Sequence, residues 1–323
     1  MGVKGDEGAE EGFIFKVPPP GLPYPVATAR EKRRALRGLL GRKGAAATVV
    51  GVSDALVARY AESKGVKAMY VSGAETTLSM GLPDLGILPR REMLLKASRI
   101  APFVSAPLIV DVDTGYDDVA GTVRLFERAG IAGVQVEDQV DAKRCGHLDP
   151  KEVVPAEEMV GKIRDATAAR KDRNFTIIAR TDAAGVGGME DAISRANLYA
   201  GAGADIIFPE ALRTKEEFRM FAQEVDAPLL ANMTEFGKTP YMRVSEFSGM
   251  GYSMVLFPVT ARRVGIRAES SAIDALVREG TQKGLVDSGG IETRDELKKA
   301  IDYDGWERVV GDMFAGRPGR GRR

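Results

Sequence analysis

The chain has 323 residues, and its 46 Lys and Arg residues balance 46 Asp and Glu residues, so the formal net charge is zero. Proteins that bind nucleic acid through a basic field need an excess of positive charge, and this chain has none. A chain of this length with 44% hydrophobic residues needs no disulfide or structural metal to fold. No apolar run approaches the about 20 residues of a membrane helix. We therefore expect neither a nucleic-acid partner nor a membrane partner.

The N-terminal sequence MGVKGDEGAEEG is acidic and lacks the basic start and apolar core of a secretory signal, which predicts a cytoplasmic protein. Residues 1–29 are predicted to form an arm, because the prolines between residues 18 and 23 cannot continue a helix. A basic helix is predicted at Thr28–Gly41. Residues 30–315 are expected to form a single domain, followed by an Arg-rich tail at residues 316–323.

Short apolar or β-branched runs alternate with longer runs of helical spacing along this domain. The predicted strands are Thr48–Val52, Ala68–Ser72, Leu108–Asp111, Gly133–Glu137, Thr176–Arg180, Asp205–Phe208, Leu229–Asn232 and Met254–Phe257. The predicted helices are Asp54–Lys64, Arg90–Ala101, Val119–Ala129, Ala156–Ala169, Met189–Ala200, Lys215–Gln223, Val244–Ser248 and Ala261–Glu279. This alternation predicts an α/β fold, a parallel (β/α)8 TIM barrel. An open doubly wound sheet is the alternative, but the first strand lacks the Gly-rich phosphate turn typical of it.

Polar side chains follow most predicted strands at their carboxyl ends, where barrel enzymes place their active sites. In chain order these ends are Ser72-Gly73, Asp111-Val112-Asp113, Glu137-Asp138-Gln139, Arg180-Thr181-Asp182, Glu210 and Asn232-Met233-Thr234. Strands often leave a sheet through polar turns, so one such end would mean little. Six ends of this kind in one barrel predict a polar site at its mouth.

Asp111 and Asp113 end an apolar strand, and residues two apart in an extended segment face the same side. Two carboxylates without His or Cys beside them favour a hard cation, so we expect Mg²⁺, with Mn²⁺ as a substitute. Glu137, one strand later, is placed to hold a metal-bound water. The alternative is an Asp pair that only shapes a turn.

The only Cys and the only His lie two residues apart, in Lys143-Arg144-Cys145-Gly146-His147. A single Cys excludes an intramolecular disulfide and a multi-Cys metal site. Cationic neighbours and a flexible Gly predict a Cys145 thiol that is accessible and has a lowered pKa. The connection that contains it, residues 138–153, is long enough to form a lid. The alternative is a buried Cys that behaves as a small apolar residue.

Arg180, Arg263 and Arg294 are candidates for binding a polycarboxylate, because guanidinium groups bind carboxylates in pairs of hydrogen bonds. The sequence does not show whether they converge, and Arg263 and Arg294 are equally consistent with surface charge. Gly237-Lys238-Thr239 looks like the end of a phosphate-binding loop, but Pro240 blocks the helix that should follow.

These motifs together resemble the isocitrate lyase/phosphoenolpyruvate mutase superfamily, and most closely its 2-methylisocitrate lyase branch. The segments that carry the resemblance are Ser72-Gly73, Gly81-Leu82-Pro83-Asp84-Leu85-Gly86, Asp111-Val112-Asp113-Thr114-Gly115, Val136-Glu137-Asp138-Gln139, Lys143-Arg144-Cys145-Gly146-His147, Ala179-Arg180-Thr181-Asp182-Ala183 and Asn232-Met233-Thr234-Glu235. Members are (β/α)8 barrels, usually homotetramers that exchange the last helix between subunits. Ala74-Glu75 departs from the branch, which usually has more Gly there.

The resemblance implies roles for individual residues. Asp111 and Asp113 would bind Mg²⁺, Asp84 and Glu137 would hold its waters, and Cys145 would be the catalytic thiol on a closing lid. Tyr70 and Glu137 join Cys145 as catalytic candidates, with Tyr70 contacting the substrate hydroxyl. The implied substrate-binding residues are Ser72, Gly73, Ala74, Cys145, Gly146, Arg180, Glu210, Asn232, Thr234, Arg263 and Arg294. The implied small apolar pocket is formed by Phe208, Leu256 and Pro258.

The resemblance further implies an oxo-acid lyase that cleaves the hydroxy-tricarboxylate 2-methylisocitrate to pyruvate and succinate, in the 2-methylcitrate cycle of propanoate catabolism. The chemistry would be a Mg²⁺-dependent retro-aldol or retro-Claisen cleavage in which Cys145 protonates the departing carbanion. Related lyases of isocitrate, malate or dimethylmalate and a phosphonopyruvate-type mutase or hydrolase remain alternatives. A non-catalytic carboxylate-binding barrel would have lost an acidic ligand or the thiol, and both are present here.

Overall fold

The computed structural model of the chain describes residues 14–15, 21–41, 44–141, 143–147 and 150–315. The predicted tail at residues 316–323 and most of the predicted arm therefore lie outside the described residues. One described part of the arm contacts the domain. The amide of Phe15 donates to Ser98 Oγ at 3.1 Å, and its ring stacks on Phe103 with the centroids 6.1 Å apart.

Eight parallel strands form one sheet in the order β6-β5-β4-β3-β2-β1-β8-β7. The strands are β1 Ala47–Gly51, β2 Ala68–Val71, β3 Leu108–Asp111, β4 Gly133–Glu137, β5 Thr176–Thr181, β6 Ile206–Pro209, β7 Leu230–Asn232 and β8 Met254–Phe257. A parallel bridge between Ile207 and Leu229 joins β6 to β7. The sheet is therefore a nearly closed barrel, which confirms the TIM-barrel prediction over the open sheet.

Helices surround this barrel, and the described part of the chain contains thirteen α-helices. The first seven are α1 Ala29–Leu40, α2 Ala55–Ser63, α3 Gly73–Ser79, α4 Arg90–Ile100, α5 Val119–Arg128, α6 Ala156–Ala169 and α7 Met189–Gly201. The others are α8 Lys215–Glu224, α9 Val244–Gly249, α10 Thr260–Glu279, α11 Lys283–Asp287, α12 Arg294–Ile301 and α13 Tyr303–Ala315. No described helix combines the length and apolar character needed to cross a membrane.

Every predicted strand and helix is present, with each end within one residue of the prediction. Helices α3 and α11–α13 were not predicted. Helix α3 is seven residues long, contains two Thr and depends on a cap, because Ser72 Oγ accepts a hydrogen bond from Glu75 N at 3.3 Å. Helices α11–α13 are largely exposed, and the first of them spans only five residues.

Side chains along each strand alternate between two apolar clusters. Met69 and Val71 pack outward against the helices, whereas Tyr70 between them points into the barrel with residues such as Ile109. Leu36 from α1 joins this inner cluster, so α1 covers the amino end of the barrel. The carboxyl end of the barrel is left for the polar side chains.

Candidate active site

Two buried carboxylates lie where β3 meets the start of α3. Asp111 is the last residue of β3, and Asp113 follows with a left-handed backbone at φ +49°. The amide of Gly73 donates to Asp111 Oδ2 at 3.1 Å. A Cβ at Gly73 would lie 3.1 Å from Asp111 Oδ2 and 3.3 Å from Asp113 Oδ1, so both carboxylates border one point.

Positive charge reaches this acid pair from the segment around Cys145. Lys143 Nζ lies 2.7 Å from Asp113 Oδ1 and 2.7 Å from Asp84 Oδ1. Burial raises the pKa of Asp113 to about 6, although Lys143 opposes the change. Burial also raises the pKa of Glu137 to about 8, against the effect of Arg180. Both carboxylates would therefore be stabilised in their charged form by additional positive charge.

The acid pair fits a hard divalent cation. Within the described ranges, no group of three or more His, Cys, Asp or Glu side chains is placed to hold one ion. Magnesium typically takes one or two carboxylates and keeps several waters, so two aspartates suffice. The donors are carboxylate oxygens, which suit Mg²⁺ and Mn²⁺. Asp111 and Asp113 would hold the ion, with Asp84 and Glu137 nearby for its waters.

Arg180 lies at the centre of the opposite side of the mouth. Strand register pairs it with Glu137 on β4 and with Phe208 on β6. Its Nη1 atom lies 3.4 Å from Glu137 Oε2 and 3.3 Å from Glu210 Oε2. Its Nε and Nη2 atoms donate to Asp182 at 2.9 and 3.1 Å, and its guanidinium carbon lies 5.4 Å from the Phe208 ring centroid. These contacts fix the guanidinium in one orientation.

Glu210 and Asn232 extend this side of the mouth. Asn232 Nδ2 donates to Glu210 Oε2 at 3.2 Å, and Asn232 Oδ1 is buried with no hydrogen-bond partner among the described residues. Burial would raise the pKa of Glu210, but Arg180 and His147 hold that pKa well below its usual range. Glu210 is therefore ionised and anchors the groups around it.

Tyr70 points into the barrel below the acid pair. Its hydroxyl donates to Gln135 Oε1 at 2.6 Å, and β3–β4 register places Gln135 beside Asp111. Burial raises the pKa of Tyr70 well above its usual range, and Asp111 adds to the effect. Tyr70 therefore remains a neutral phenol.

A lid, residues 138–155 between β4 and α6, covers the mouth; its residues 142, 148 and 149 lie outside the described part. The two ends of the lid pair through an antiparallel bridge between Gln139 and Val153. The Gln139 side chain also accepts from Arg144 N at 3.0 Å and donates to Arg144 O at 2.9 Å. The lid is thus folded back onto its own base.

The tip of the lid contacts the Arg180 side of the mouth. A Cβ at Gly146 would overlap the Arg180 guanidinium and the Glu210 side chain, so the backbone approaches as only Gly allows. His147 Nε2 lies 3.1 Å from Glu210 Oε1, and His147 Nδ1 accepts from Lys238 N at 3.0 Å. The described lid is therefore closed.

Cys145 lies in this closed lid and is partly exposed. The sequence predicted a lowered thiol pKa because Lys and Arg precede the residue. The structure corrects this expectation, because burial raises the pKa of Cys145. Lys143 and Arg144 do not face the thiol: Lys143 turns to the acid pair, and Arg144 is exposed. A protonated thiol suits a proton donor better than a nucleophile.

Five other predicted residues lie at or near the mouth of the barrel. Ser72 is buried at the start of α3, and Leu256 is buried in the inner barrel cluster. Three more are partly exposed, namely Ala74, Thr234 and Pro258.

Arg263 and Arg294 lie outside this network of contacts. Both residues are exposed. Arg263 Nε is 3.6 Å from Glu235 Oε2, on the loop after β7. Arg294 begins α12, which packs against α2.

The sequence pattern of a family described as Phosphoenolpyruvate phosphomutase matches residues 36–277. The chain belongs to this family. A 2-methylisocitrate lyase of Aeropyrum pernix is 49% identical to it over 261 residues, 80% of this chain and 83% of that protein. A 2-methylisocitrate lyase of Shewanella oneidensis is 43% identical over 271 residues, 83% of this chain and 92% of that protein.

Solved structures support the same family membership. A 2,3-dimethylmalate lyase, described as a PEP mutase/isocitrate lyase superfamily member, matches with a TM-score of 0.79 and 34% identity, covering 92% of this chain and 100% of that one. A phosphonopyruvate hydrolase in complex with oxalate and Mg²⁺ matches with a TM-score of 0.78 and 29% identity, covering 88% of this chain and 99% of that one.

In this phosphoenolpyruvate phosphomutase family member, four residues of the site received no individual role from the sequence. Asp182 and Lys143 were named only within longer motifs, and Gln135 and Lys151 were not named. Gln135 and Asp182 lie two positions from Glu137 and Arg180, so strand alternation was the signal that could have found them. Lys143 lies inside the lid motif. Lys151 follows the motif and is fully buried, and no local pattern marks it.

Proposed function

We propose that the chain is a Mg²⁺-dependent oxo-acid lyase that cleaves 2-methylisocitrate to pyruvate and succinate. One observation carries the proposal: a single lid reaches Asp113 through Lys143 and contacts Arg180 and Glu210 through Gly146 and His147. The acid pair and the thiol segment therefore face the same mouth. Two relatives that align with most of the chain are named 2-methylisocitrate lyase.

The site has the groups that a hydroxy-tricarboxylate requires. Arg180 and the Asn232 amide are placed to bind its carboxylates, and the partly exposed Ala74 in the first turn of α3 adds a backbone donor. A divalent cation on the acid pair would polarise the substrate hydroxyl and its neighbouring carboxylate. The substrate methyl group would contact the predicted apolar pocket, Phe208, Leu256 and Pro258.

The reaction begins when the substrate hydroxyl loses its proton. Tyr70 is a neutral phenol whose hydroxyl already donates to the Gln135 side chain, so we assign it the role of orienting that amide and not the role of base. Glu137 is buried at the mouth, and its Oε2 atom has no hydrogen-bond partner among the described residues. Burial raises its pKa, and a divalent cation on the acid pair would favour the ionised form that accepts a proton. We therefore assign Glu137 as the group that accepts the proton of the substrate hydroxyl.

Cleavage then breaks the bond between the hydroxyl carbon and its carboxylate-bearing neighbour. The hydroxyl carbon becomes the carbonyl carbon of pyruvate, and the electron pair remains on the carbon that becomes part of succinate. Arg180 and Asn232 stabilise the charge that spreads onto its carboxylate. Cys145, protonated because burial raises its pKa, donates the proton that completes succinate. The closed lid excludes water from this carbanion.

The test is a coupled pyruvate assay on the purified chain with 2-methylisocitrate, isocitrate and 2,3-dimethylmalate, each with and without EDTA. We expect the highest kcat/KM with 2-methylisocitrate, loss of activity with EDTA and recovery with excess Mg²⁺. A parallel arm follows phosphonopyruvate by inorganic phosphate release. A higher kcat/KM for any other substrate would reject 2-methylisocitrate, and activity that survives EDTA would reject the metal.

We also propose a homotetramer in the cytoplasm, with the C-terminal helices exchanged between subunits. Helices α10 and α11 expose large apolar side chains that a partner subunit would cover, namely Val264 at 65%, Ile273 at 60%, Val277 at 83% and Val286 at 58%. Sedimentation velocity checks the assembly, and a monomer at micromolar concentration would reject it.

A further inference from the structure

A fully buried lysine at the base of the lid has no part in the reaction described above. The side chain of Lys151 is 0% exposed, as is that of Asp182. Lys151 Nζ donates to Gly146 O at 2.6 Å and to Asp182 Oδ1 at 2.9 Å. A buried ammonium is costly unless it is paired and hydrogen-bonded, so these two contacts account for its position.

The two partners of Lys151 belong to different parts of the molecule. Gly146 is the lid residue whose backbone packs against Arg180, whereas Asp182 follows β5 and is anchored by its amide, which donates to Asp138 Oδ1 at 2.9 Å. Asp182 is also the carboxylate that receives both Nε and Nη2 of Arg180. Lys151 therefore links the lid tip to the carboxylate that orients Arg180.

We propose that Lys151 is a positioning residue that couples closure of the lid to the orientation of Arg180. In the closed state its charge is shared between the Gly146 carbonyl and Asp182. Lys151 and Arg180 both donate to Asp182 Oδ1 in this state. When Gly146 withdraws, Lys151 loses its other acceptor and its charge falls on Asp182 alone, which weakens the hold of Oδ1 on Arg180. Closure returns the Gly146 carbonyl to Lys151 and relieves this competition, so the guanidinium is held most firmly when the lid is shut. The roles of Arg180 and Cys145 in this inference rest on the proposed function.

A purely structural ion pair would stabilise the fold without affecting the lid, and one measurement distinguishes the two roles. Cys145 is the only cysteine of the chain and is partly exposed in the closed lid, so an alkylation rate with iodoacetamide above that of wild type reports more frequent opening of the lid. The experiment compares wild type, Lys151→Met and the control Lys171→Met, all without metal and at one pH. Lys171 is an exposed lysine in the loop before β5.

We expect Cys145 to be alkylated about tenfold faster or more in Lys151→Met than in wild type. This factor corresponds to the loss of one hydrogen bond to a charged group. Lys171→Met should stay within about twofold of wild type. All three proteins should react alike in urea, where no lid exists. Equal native rates for wild type and a folded Lys151→Met would overturn the proposal, as would an equal acceleration in the control.

A second variant keeps the test informative if Lys151→Met does not fold, which circular dichroism would show. Lys151→Gln retains a neutral donor for the Gly146 carbonyl, and we expect an alkylation rate between those of wild type and the Met variant. A folded Gln variant that reacts at the wild-type rate would also overturn the coupling. Alkylation needs no substrate, so its outcome is separate from the pyruvate assay, which tests the proposed function itself.

Discussion

Lys143 Nζ lies 2.7 Å from Asp113 Oδ1, which places a lid residue against one of the two carboxylates that would hold the metal. The same ammonium contacts Asp84, so it supplies positive charge to the acid pair in the closed state. The Lys143 side chain is 5% exposed, and a pair this well shielded from water is costly to break. Lys143 therefore links lid closure to the charge balance of the metal site.

Lys143→Met should destabilise the metal-free protein by about 3–5 kcal/mol, because it leaves buried carboxylates without their cation. Thermal unfolding in EDTA measures this change. Lys162→Met is the matched control, since Lys162 forms a helix-surface ion pair with Glu158 at 3.6 Å, and about 0–1 kcal/mol is expected. Equal unfolding temperatures for Lys143→Met and wild type would argue against the role of Lys143.

The metal-free protein should lose stability as the pH rises from about 4 to about 8. Unfolded Asp and Glu titrate near pH 4, whereas burial raises the pKa of Asp113 to about 6 and of Glu137 to about 8. Across this window the folded state binds more protons than the unfolded state, so stability falls with rising pH. Mg²⁺ binds the ionised carboxylates and should raise the melting temperature more at pH 8 than at pH 5. Equal shifts at both pH values would count against the acid pair as the metal site.

Gly146→Ala should block lid closure with little effect on folding. The new Cβ would overlap the Arg180 guanidinium and the Glu210 side chain in the closed lid, but an open lid accommodates it. We expect kcat to fall about 100-fold, as for other misplacements in active sites. Gly161→Ala in α6 is the control, because its Cβ meets no atom within 4 Å. Steady-state kinetics and thermal unfolding of both variants test this, and normal turnover by Gly146→Ala would refute the closed lid as the active form.

Cys145→Ser should still bind oxalate and Mg²⁺, but its kcat should fall about 100- to 10,000-fold. A general acid contributes a rate enhancement in this range. Burial raises the pKa of the Cys145 thiol, so the proton donor stays protonated beyond the ordinary range of about 8.5. Wild-type kcat should therefore hold through pH 8 and fall only at more alkaline pH. The measurements are a kcat profile against pH and calorimetric binding of oxalate with Mg²⁺. Near-normal activity of Cys145→Ser would remove the thiol from the mechanism.

Periodicity acts over a few residues, so the sequence alone determined the eight strands and most of the helices. Asp111 and Asp113 do border one point, but the left-handed backbone of Asp113 brings them together and not the extended strand that the sequence suggested. The lid was also predictable, since the connection after β4 is long and carries the only Cys and His. Tertiary structure decided which charges meet. Lys143 turns to Asp113, Lys151 to Asp182, and Arg263 and Arg294 remain outside the cluster. It also set the direction of the Cys145 pKa shift, because burial depends on residues distant in the chain, which local sequence does not specify.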